Sequence, residues 1–246
     1  MANIRLDKYL ADAGIGTRSQ VKEILKKNRV YVNDAVAKKG DIKIDTDIDV
    51  VALDGKAIGY QEYEYFMLNK PQGVVSATKD PRDKTVVELI TENKRRDLFP
   101  VGRLDKDTEG LLIITNDGKL ANNLLAPGKH VDKKYYVEVS GNVTEETVKY
   151  FKTGVDIGDE EMTLPAKLEI LNVDGVGENA TSACNITIME GRYHQIKRMF
   201  KACGMEVLFL KRLSMGPVSL DEDLPLGGYR KLTEEEIKSL KEVHKI

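Results

Sequence analysis

The chain has 246 residues, 41% of them hydrophobic, and a formal net charge of −2. This length suits two unequal domains with buried cores. Because the net charge is slightly negative, the protein is not a polycation that could bind nucleic acid over its whole surface. Two distant cysteines and three histidines support neither a disulfide framework nor a zinc site. The sequence shows neither an apolar signal core nor a run near the about 20 residues of a membrane span, so we expect a cytoplasmic protein.

Charge is unevenly distributed near the N-terminus. Residues 1–43 contain ten Lys and Arg against five Asp and Glu, whereas residues 44–64 contain one Lys against six Asp and Glu. The basic face near the N-terminus therefore belongs to the first segment. We single out its candidate phosphate contacts, which are Arg5, Arg18, Lys22, Lys26 and Arg29. Three of them follow one another at four-residue steps and share a helix face, for which a solvated surface is the alternative interpretation.

The same module has the pattern of a small domain. Apolar residues at three- and four-residue spacing predict a helix over 4–14, and Thr17 with Gln20 predicts a capping box for a second helix over 19–28. Short apolar or alternating segments then predict three strands, over 30–34, 41–45 and 48–51. A linker is predicted over 55–61, so we expect domains 1–60 and 61–246.

The second part of the chain mixes strands and helices. Strands are predicted over 65–68, 111–114, 135–140, 168–173, 181–188 and 207–213, with a further strand after the turn at 69–73. Helices are predicted over 86–93, 118–125, 145–153 after Thr144, 193–202, and 234–243 after Thr233. The two kinds of element do not alternate strictly. The predicted class is therefore α+β, with a mixed, mostly antiparallel sheet and flanking helices.

The loop that begins at Gly102 carries the most informative residue, Asp105. It lies between Arg103 and Lys106 and shortly before the apolar run at 111–114, which predicts a loop at the edge of a sheet. A cation close by favours the ionised form of a carboxylate, and an ionised carboxylate serves as a nucleophile or a base. The alternative is an aspartate that caps a turn or pairs with a surface cation.

Four ordered segments of the second domain resemble the pseudouridine synthases. They are Asn69-Lys-Pro-Gln-Gly, Gly102-Arg-Leu-Asp, His130-Val-Asp-Lys-Lys-Tyr and Glu190-Gly-Arg-Tyr-His-Gln-Ile-Lys-Arg-Met. In the first domain, Arg5-Leu-Asp-Lys-Tyr-Leu, Thr17-Arg-Ser and Val30-Tyr-Val-Asn resemble the alpha-L RNA-binding module of a small-subunit ribosomal protein. With both sets of motifs considered, the chain is most similar to the RsuA-type branch of the pseudouridine synthases, which modifies ribosomal RNA in bacteria.

The resemblance implies conversion of a uridine to pseudouridine without a cofactor. Asp105 would be the essential carboxylate, and three routes stay open: attack on the base, attack on the sugar, or removal of a sugar proton. Tyr135 would stack on the uracil. Lys197 stands where many relatives have an arginine that pairs with the aspartate, and Arg198 competes for this role, although side chains one residue apart on a helix diverge by about 100°.

The resemblance also implies how RNA is held. Arg103 would fill the space that the flipped base leaves. Apart from the resemblance, the basic segment 192–201 is typical of a phosphate-binding surface, to which Arg192 and Arg198 would contribute. The Tyr193-His-Gln segment is similar to that of enzymes acting on the small subunit, so we expect small-subunit (16S) rRNA, in an assembly intermediate, as the partner. We expect a monomeric enzyme that contacts no membrane. The alternatives are large-subunit rRNA, a non-catalytic RNA-binding or ribosome-assembly protein, and a metal-dependent nuclease. That nuclease would use Asp105, Asp107 and Asp117, the last two of which we otherwise interpret as structural.

Overall fold

The computed structural model describes residues 3–92, 95, 97–175 and 179–243. They form two compact units, one of residues 1–64 with 90–98 and one of residues 65–89 with 99–246. The helices are α1 Leu6–Asp12, α2 Arg18–Lys26, α3 Gly118–Leu125, α4 Glu145–Thr153, α5 Gln195–Ala202 and α6 Glu234–Glu242. The strands are β1 Asn3–Arg5, β2 Val30–Val32, β3 Ala35–Val36, β4 Lys43–Asp45, β5 Val51–Leu53, β6 Lys56–Ala57, β7 Tyr65–Lys70, β8 Phe99–Pro100, β9 Glu109–Thr115, β10 Lys133–Ser140, β11 Lys167–Asp174, β12 Thr181–Ile188, β13 Val207–Met215, β14 Val218–Ser219 and β15 Tyr229–Lys231.

The first unit packs two short helices beside two small sheets. Strands β3, β2, β5 and β6 form one sheet in that order, and β1 pairs with β4. The predicted capping box is confirmed, because Thr17 accepts from the backbone of Gln20 and the Gln20 side chain accepts from the Thr17 N–H. The core consists of apolar residues from both helices and the strands: Leu6, Tyr9, Leu10, Val21, Leu25, Val30, Ala37, Ile44 and Val51.

Two predictions in this unit are wrong. The third strand begins at Val51, since residues 45–49 form a turn in which the Asp49 carboxylate accepts from the Asp45 N–H (2.8 Å) and leaves Ile48 exposed. The segment predicted to be a linker contains strand β6, and beyond it Tyr60 stacks on Tyr9 with ring centroids 4.8 Å apart. Residues 55–60 therefore belong to the folded unit.

The second unit is built on one large sheet in the order β11-β12-β10-β13-β9-β7-β15, with β14 on β13 and β8 on β9. Among the described residues, the strands of this sheet pair antiparallel except β13 with β9. The predicted mixed, mostly antiparallel sheet is confirmed. Alternate residues of β10 from Lys133 to Val139 are buried, as the period of two along a strand requires.

Helices of the second unit largely follow the sequence signals. Thr144 and Thr233 cap α4 and α6 as predicted. The helix predicted over 86–93 is wrong in its described part, where one 3₁₀ turn, Val87–Leu89, follows the hydrogen bond from Thr85 N–H to Glu88; residue 93 lies outside the described residues. No helix in the described ranges is both long and apolar enough to cross a membrane.

Candidate active site

Asp105 lies in the loop between β8 and β9. Strand β9 is internal, flanked by β13 and β7, so the loop leads into the middle of the sheet and not to its edge as predicted. At the loop's end, Gly110 has a φ of +99°, and a Cβ there would collide with the backbone of Arg212 on β13. Glycine at this position therefore allows the parallel pairing that fixes where Asp105 leaves the sheet.

The side chain of a buried lysine fixes the backbone of this loop. Lys70, at the end of β7, donates from Nζ to the backbone carbonyls of Asp105 (2.9 Å) and Thr108 (2.8 Å). Burial lowers the pKa of Lys70 to about 8, against the opposing influence of nearby carboxylates. The Ser76 hydroxyl also bonds both the N–H (3.0 Å) and the carbonyl (2.8 Å) of Leu104. Asp105 thus sits on a loop whose backbone is fixed on two sides.

Helix α5 brings a cation to this carboxylate. Lys197 Nζ lies 3.2 Å from Asp105 Oδ2 and donates to both carboxylate oxygens of Asp107, at 2.6 and 2.8 Å. Burial acts to lower the pKa of Lys197, but its contacts with Asp107 and Asp105 raise it overall, while hydrogen bonding from Lys197 lowers the pKa of Asp107. Lys197 thus places one positive charge between the carboxylates of Asp105 and Asp107.

His194 meets the other oxygen of Asp105. Its Nε2 lies 3.5 Å from Asp105 Oδ1. The residue is the N-cap of α5 and has left-handed backbone angles, φ 48° and ψ 34°. Such angles cost a residue other than glycine about 1–3 kcal/mol and cluster at functional sites. The strained turn therefore brings this imidazole to the carboxylate.

Tyr135 forms one wall of the cavity beside Asp105. It is a buried residue of β10, and the cavity of ≈ 80 Å³ is also lined by Ile188 and Leu210 on its apolar side. Asp105, Lys197 and His194 line the polar side. An apolar wall with a carboxylate and a cation opposite suits a planar base with polar edges.

The cations that flank Asp105 in sequence are not those that meet it. Lys106 pairs with Asp83 at 2.6 Å, and Arg103 is an exposed side chain at the cavity that makes no ion pair within the described ranges. The expectation that these neighbours secure the charge of Asp105 is therefore wrong. The cation that lies at Asp105 is Lys197, 92 positions further along the chain.

Arg192 and Arg198, our candidates for phosphate contact, are tied to a neighbouring loop. Arg192 donates to the carbonyls of Glu161 (2.6 Å) and Met162 (2.8 Å), and Arg198 donates to that of Ile157 (2.6 Å). Both guanidinium groups also pair with the carboxylate of Asp159. The structure thus turns Lys197 towards Asp105 and Arg198 away from it.

Sequence reasoning missed the roles of two residues. Asp107 is interpreted as structural from the sequence and His194 is not among the predicted site residues, yet both belong to the cluster around Asp105. Local sequence carries no signal for either contact, because each partner lies on a different element. Asp117 is structural, as predicted: it caps α3 and accepts from the Tyr65 hydroxyl. No group of three His, Cys, Asp or Glu within the described ranges could hold a metal ion.

The candidate phosphate contacts of the first unit fall into two groups. Three are paired with carboxylates: Arg5 with Asp7, Lys26 with Glu23 and Arg29 with Asp54. Arg18 and Lys22, on α2, are exposed and make no hydrogen bond or ion pair within the described part of the chain.

The chain belongs to the RNA pseudouridylate synthase family, whose model matches residues 64–202. The match spans the loop of Asp105, the strand of Tyr135 and the helix of Lys197. Ahead of it, the S4 domain model matches residues 4–47. The chain is thus an RNA pseudouridine synthase, an isomerase with an RNA-binding domain in front of its catalytic domain, and both predicted resemblances are confirmed.

Full-length relatives agree with this assignment. YtzG of Bacillus subtilis, named as an uncharacterized RNA pseudouridine synthase, is 48% identical over 97% of this chain and 99% of its own. The ribosomal small subunit pseudouridine synthase A of Vibrio cholerae is 39% identical over 96% and 99%, and the ribosomal large subunit pseudouridine synthase B of Bacillus subtilis is 38% identical over 96% and 95%. A crystal structure of a pseudouridylate synthase aligns with a TM-score of 0.66 and 38% identity over 96% of this chain and 99% of that one.

Proposed function

We propose that this enzyme converts a specific uridine of small-subunit (16S) rRNA to pseudouridine, with Asp105 as its essential carboxylate. The observation that carries the proposal is the cluster in which Lys197 lies 3.2 Å from Asp105, at a cavity walled by Tyr135. In the net reaction the bond from the ribose to N1 of uracil breaks and a bond to C5 forms, while the proton of C5 is lost and N1 gains one. All atoms are conserved, so the reaction requires no co-reactant.

The site supplies what each route open to Asp105 requires. Attack on the base, attack on the sugar and removal of a sugar proton each need a carboxylate, and Lys197 places a positive charge 3.2 Å from Asp105 Oδ2. The ring of Tyr135 stacks on the flipped uracil, and Ile188 and Leu210 keep water from the same side of the base. Lys70 holds the loop backbone, so Asp105 needs little reorganisation when it reacts.

RNA binding is divided between the units. A uridine in structured RNA must leave its stack, at a cost of a few kcal/mol that other contacts offset. Arg103, exposed at the cavity, supplies one such contact by filling the vacated space. In the first unit the cations of α2 approach phosphates, and Arg18 and Lys22 are the candidates that have no carboxylate partner among the described residues.

The choice of rRNA subunit rests on a short segment. Relatives named for the small and the large subunit are almost equally identical to this chain, at 39% and 38%. The Tyr193-His-Gln sequence at the start of α5 favours the small subunit, in an assembly intermediate. Large-subunit rRNA is the second candidate, and the similarity to the large subunit pseudouridine synthase B of Bacillus subtilis supports it.

Pseudouridine mapping tests the proposal. Unmodified small-subunit and large-subunit rRNA, free and in partly assembled particles, are incubated with wild-type protein and with Asp105→Asn, which removes a charge but little volume. We expect one new site, in small-subunit rRNA, that is lost in the variant while RNA affinity is retained. A site in large-subunit rRNA would overturn the subunit assignment, and a site that persists with Asp105→Asn would overturn the role of this carboxylate.

A further inference from the structure

Tyr193 is the most exposed aromatic residue of the described part of the chain. It is 74% exposed, although it directly precedes His194 of the active site. At this exposure the ring contributes little to the core, so its position beside the active site and its packing decide what it can bind. The exposed ring of Tyr193 is available to bind a partner that has an apolar face.

The ring is held flat by its neighbour. Tyr193 stacks on His194 with ring centroids 3.8 Å apart and an angle of 21° between planes. The left-handed backbone of His194 directs this imidazole towards both Tyr193 and Asp105. One face of the Tyr193 ring is therefore covered by a residue of the active site, while most of the ring remains open to solvent.

The turn that carries the pair is fixed on several sides. Gln195 accepts from the Arg192 N–H at 3.0 Å and donates its own N–H to the Arg192 carbonyl at 3.2 Å. Arg198 donates to the carbonyl of Tyr193 at 3.3 Å, and the guanidinium of Arg192 is bound to the carbonyls of residues 161 and 162. A platform preorganised in this way loses little entropy when it binds.

We propose that the open face of Tyr193 binds an unpaired nucleobase of the RNA next to the target uridine. His194 lines the cavity beside Asp105, whereas Tyr193 does not, so Tyr193 serves a base outside that cavity. Flipping a uridine leaves its neighbour without a stacking partner, and an aromatic side chain accepts any base in compensation. This inference rests on the proposed function and extends it with a second binding position.

Affinity measurements with Tyr193 variants test this site. Binding to unmodified small-subunit rRNA is measured in the Asp105→Asn background, so that the RNA is not turned over. Tyr193→Leu keeps apolar bulk against His194 but removes the aromatic face, and we expect its affinity to fall about 5- to 150-fold. Tyr193→Phe keeps the ring and should retain the affinity. Leu171→Ala, at a 49% exposed residue of β11, is the control for loss of an exposed apolar side chain. It should bind the RNA as tightly as the Asp105→Asn protein does.

The outcomes separate this site from the proposed function. An unchanged affinity of Tyr193→Leu would overturn the stacking site even if the wild-type protein converts the RNA. An equal loss in Tyr193→Leu and Tyr193→Phe would also overturn it, because the hydroxyl and not the ring would then bind. With Asp105 intact, Tyr193→Leu should raise KM and leave kcat; a loss in kcat alone would mean that Tyr193 only positions His194. Failure of the wild-type protein to convert either rRNA would instead overturn the proposed function.

Discussion

Two basic helices, α2 of the first unit and α5 of the second, use their cations differently. On α5, Lys197 lies between Asp105 and Asp107, and Arg198 pairs with Asp159. On α2, Arg18 and Lys22 are exposed without such a partner in the described residues, although Lys26 pairs with Glu23. These two pairs of cations therefore have opposite electrostatic settings.

The difference distinguishes cations for chemistry from cations for RNA affinity. A lysine fixed by two carboxylates has a defined position, and a defined position is what stabilisation of a reacting group requires. An exposed, unpaired cation can follow the phosphate backbone, and its contribution depends on salt. The comparison predicts that changes on α5 alter kcat and that changes on α2 alter affinity.

Removing the cation at Asp105 should have the largest effect. We expect Lys197→Met to lower kcat about 10²- to 10³-fold, because Asp105 and Asp107 then lie together without a cation to neutralise them. Lys197→Arg keeps the charge and should retain most of the activity. Single-turnover conversion of the rRNA measures both, and equal loss in the two variants would show that charge at this position is not what matters.

Buried lysines should make stability depend on pH. Burial lowers the pKa of Lys70 to about 8 from the ordinary value of 10.5. Between these values the unfolded chain binds more protons, so the free energy of unfolding rises with pH, by at most about 1.4 kcal/mol per pH unit. Lys133, whose pKa burial also lowers to about 8, acts in the same direction. Urea unfolding at several pH values measures the slope. The range runs from about pH 8 to just below pH 10, because tyrosines ionise at about pH 10. Lys70→Met should reduce it, and an unchanged slope would contradict this assignment.

Freeing the paired arginines of the α5 region should convert them to the α2 type. Asp159→Asn removes the carboxylate shared by Arg192 and Arg198. The plot of log affinity against log salt should then steepen by about 0.7–0.9 for each arginine that becomes available to phosphate. Asp156→Asn, in the same loop, is the control, since Asp156 accepts from the Gly158 N–H and has no arginine partner in the described ranges. Equal steepening in both variants would point to net charge alone.

The smallest effect is expected on α2. Lys22→Met should weaken RNA binding and reduce the salt slope by about 0.7–0.9, the value for one phosphate contact. Lys26→Met, one turn further along, should change the slope less because Lys26 already pairs with Glu23 at 2.8 Å. Filter binding at four or five salt concentrations measures both. Identical slopes for the two variants and the wild-type protein would make α2 a solvated surface.

The sequence predicted what local pattern and ordered motifs encode. The capping signals at Thr17, Thr144 and Thr233 are confirmed because each involves residues three apart on one helix. The strand predicted over 181–188 and the helix over 118–125 are confirmed with the same bounds. The ordered motifs indicated the family: the four of the second domain lie within residues 64–202 and those of the first domain within residues 4–47, the ranges that the two family models match.

Contacts between distant segments could not be predicted in this way. Asp107 and Lys197 are 90 positions apart and meet only because α5 packs beside the loop that precedes β9. The sequence favoured Arg103 and Lys106 as partners of Asp105 because they are adjacent, but Lys106 is occupied by Asp83. Proximity along the chain is thus a poor guide to electrostatic partners in a loop.

The most direct test of the account measures kcat and KM for Lys197→Met and Lys22→Met on the same rRNA, at one salt concentration. We expect Lys197→Met to lower kcat with little change in KM, whereas Lys22→Met should raise KM and leave kcat unchanged. If both substitutions changed the same constant, pairing with carboxylates would not distinguish the chemical role of α5 from the binding role of α2.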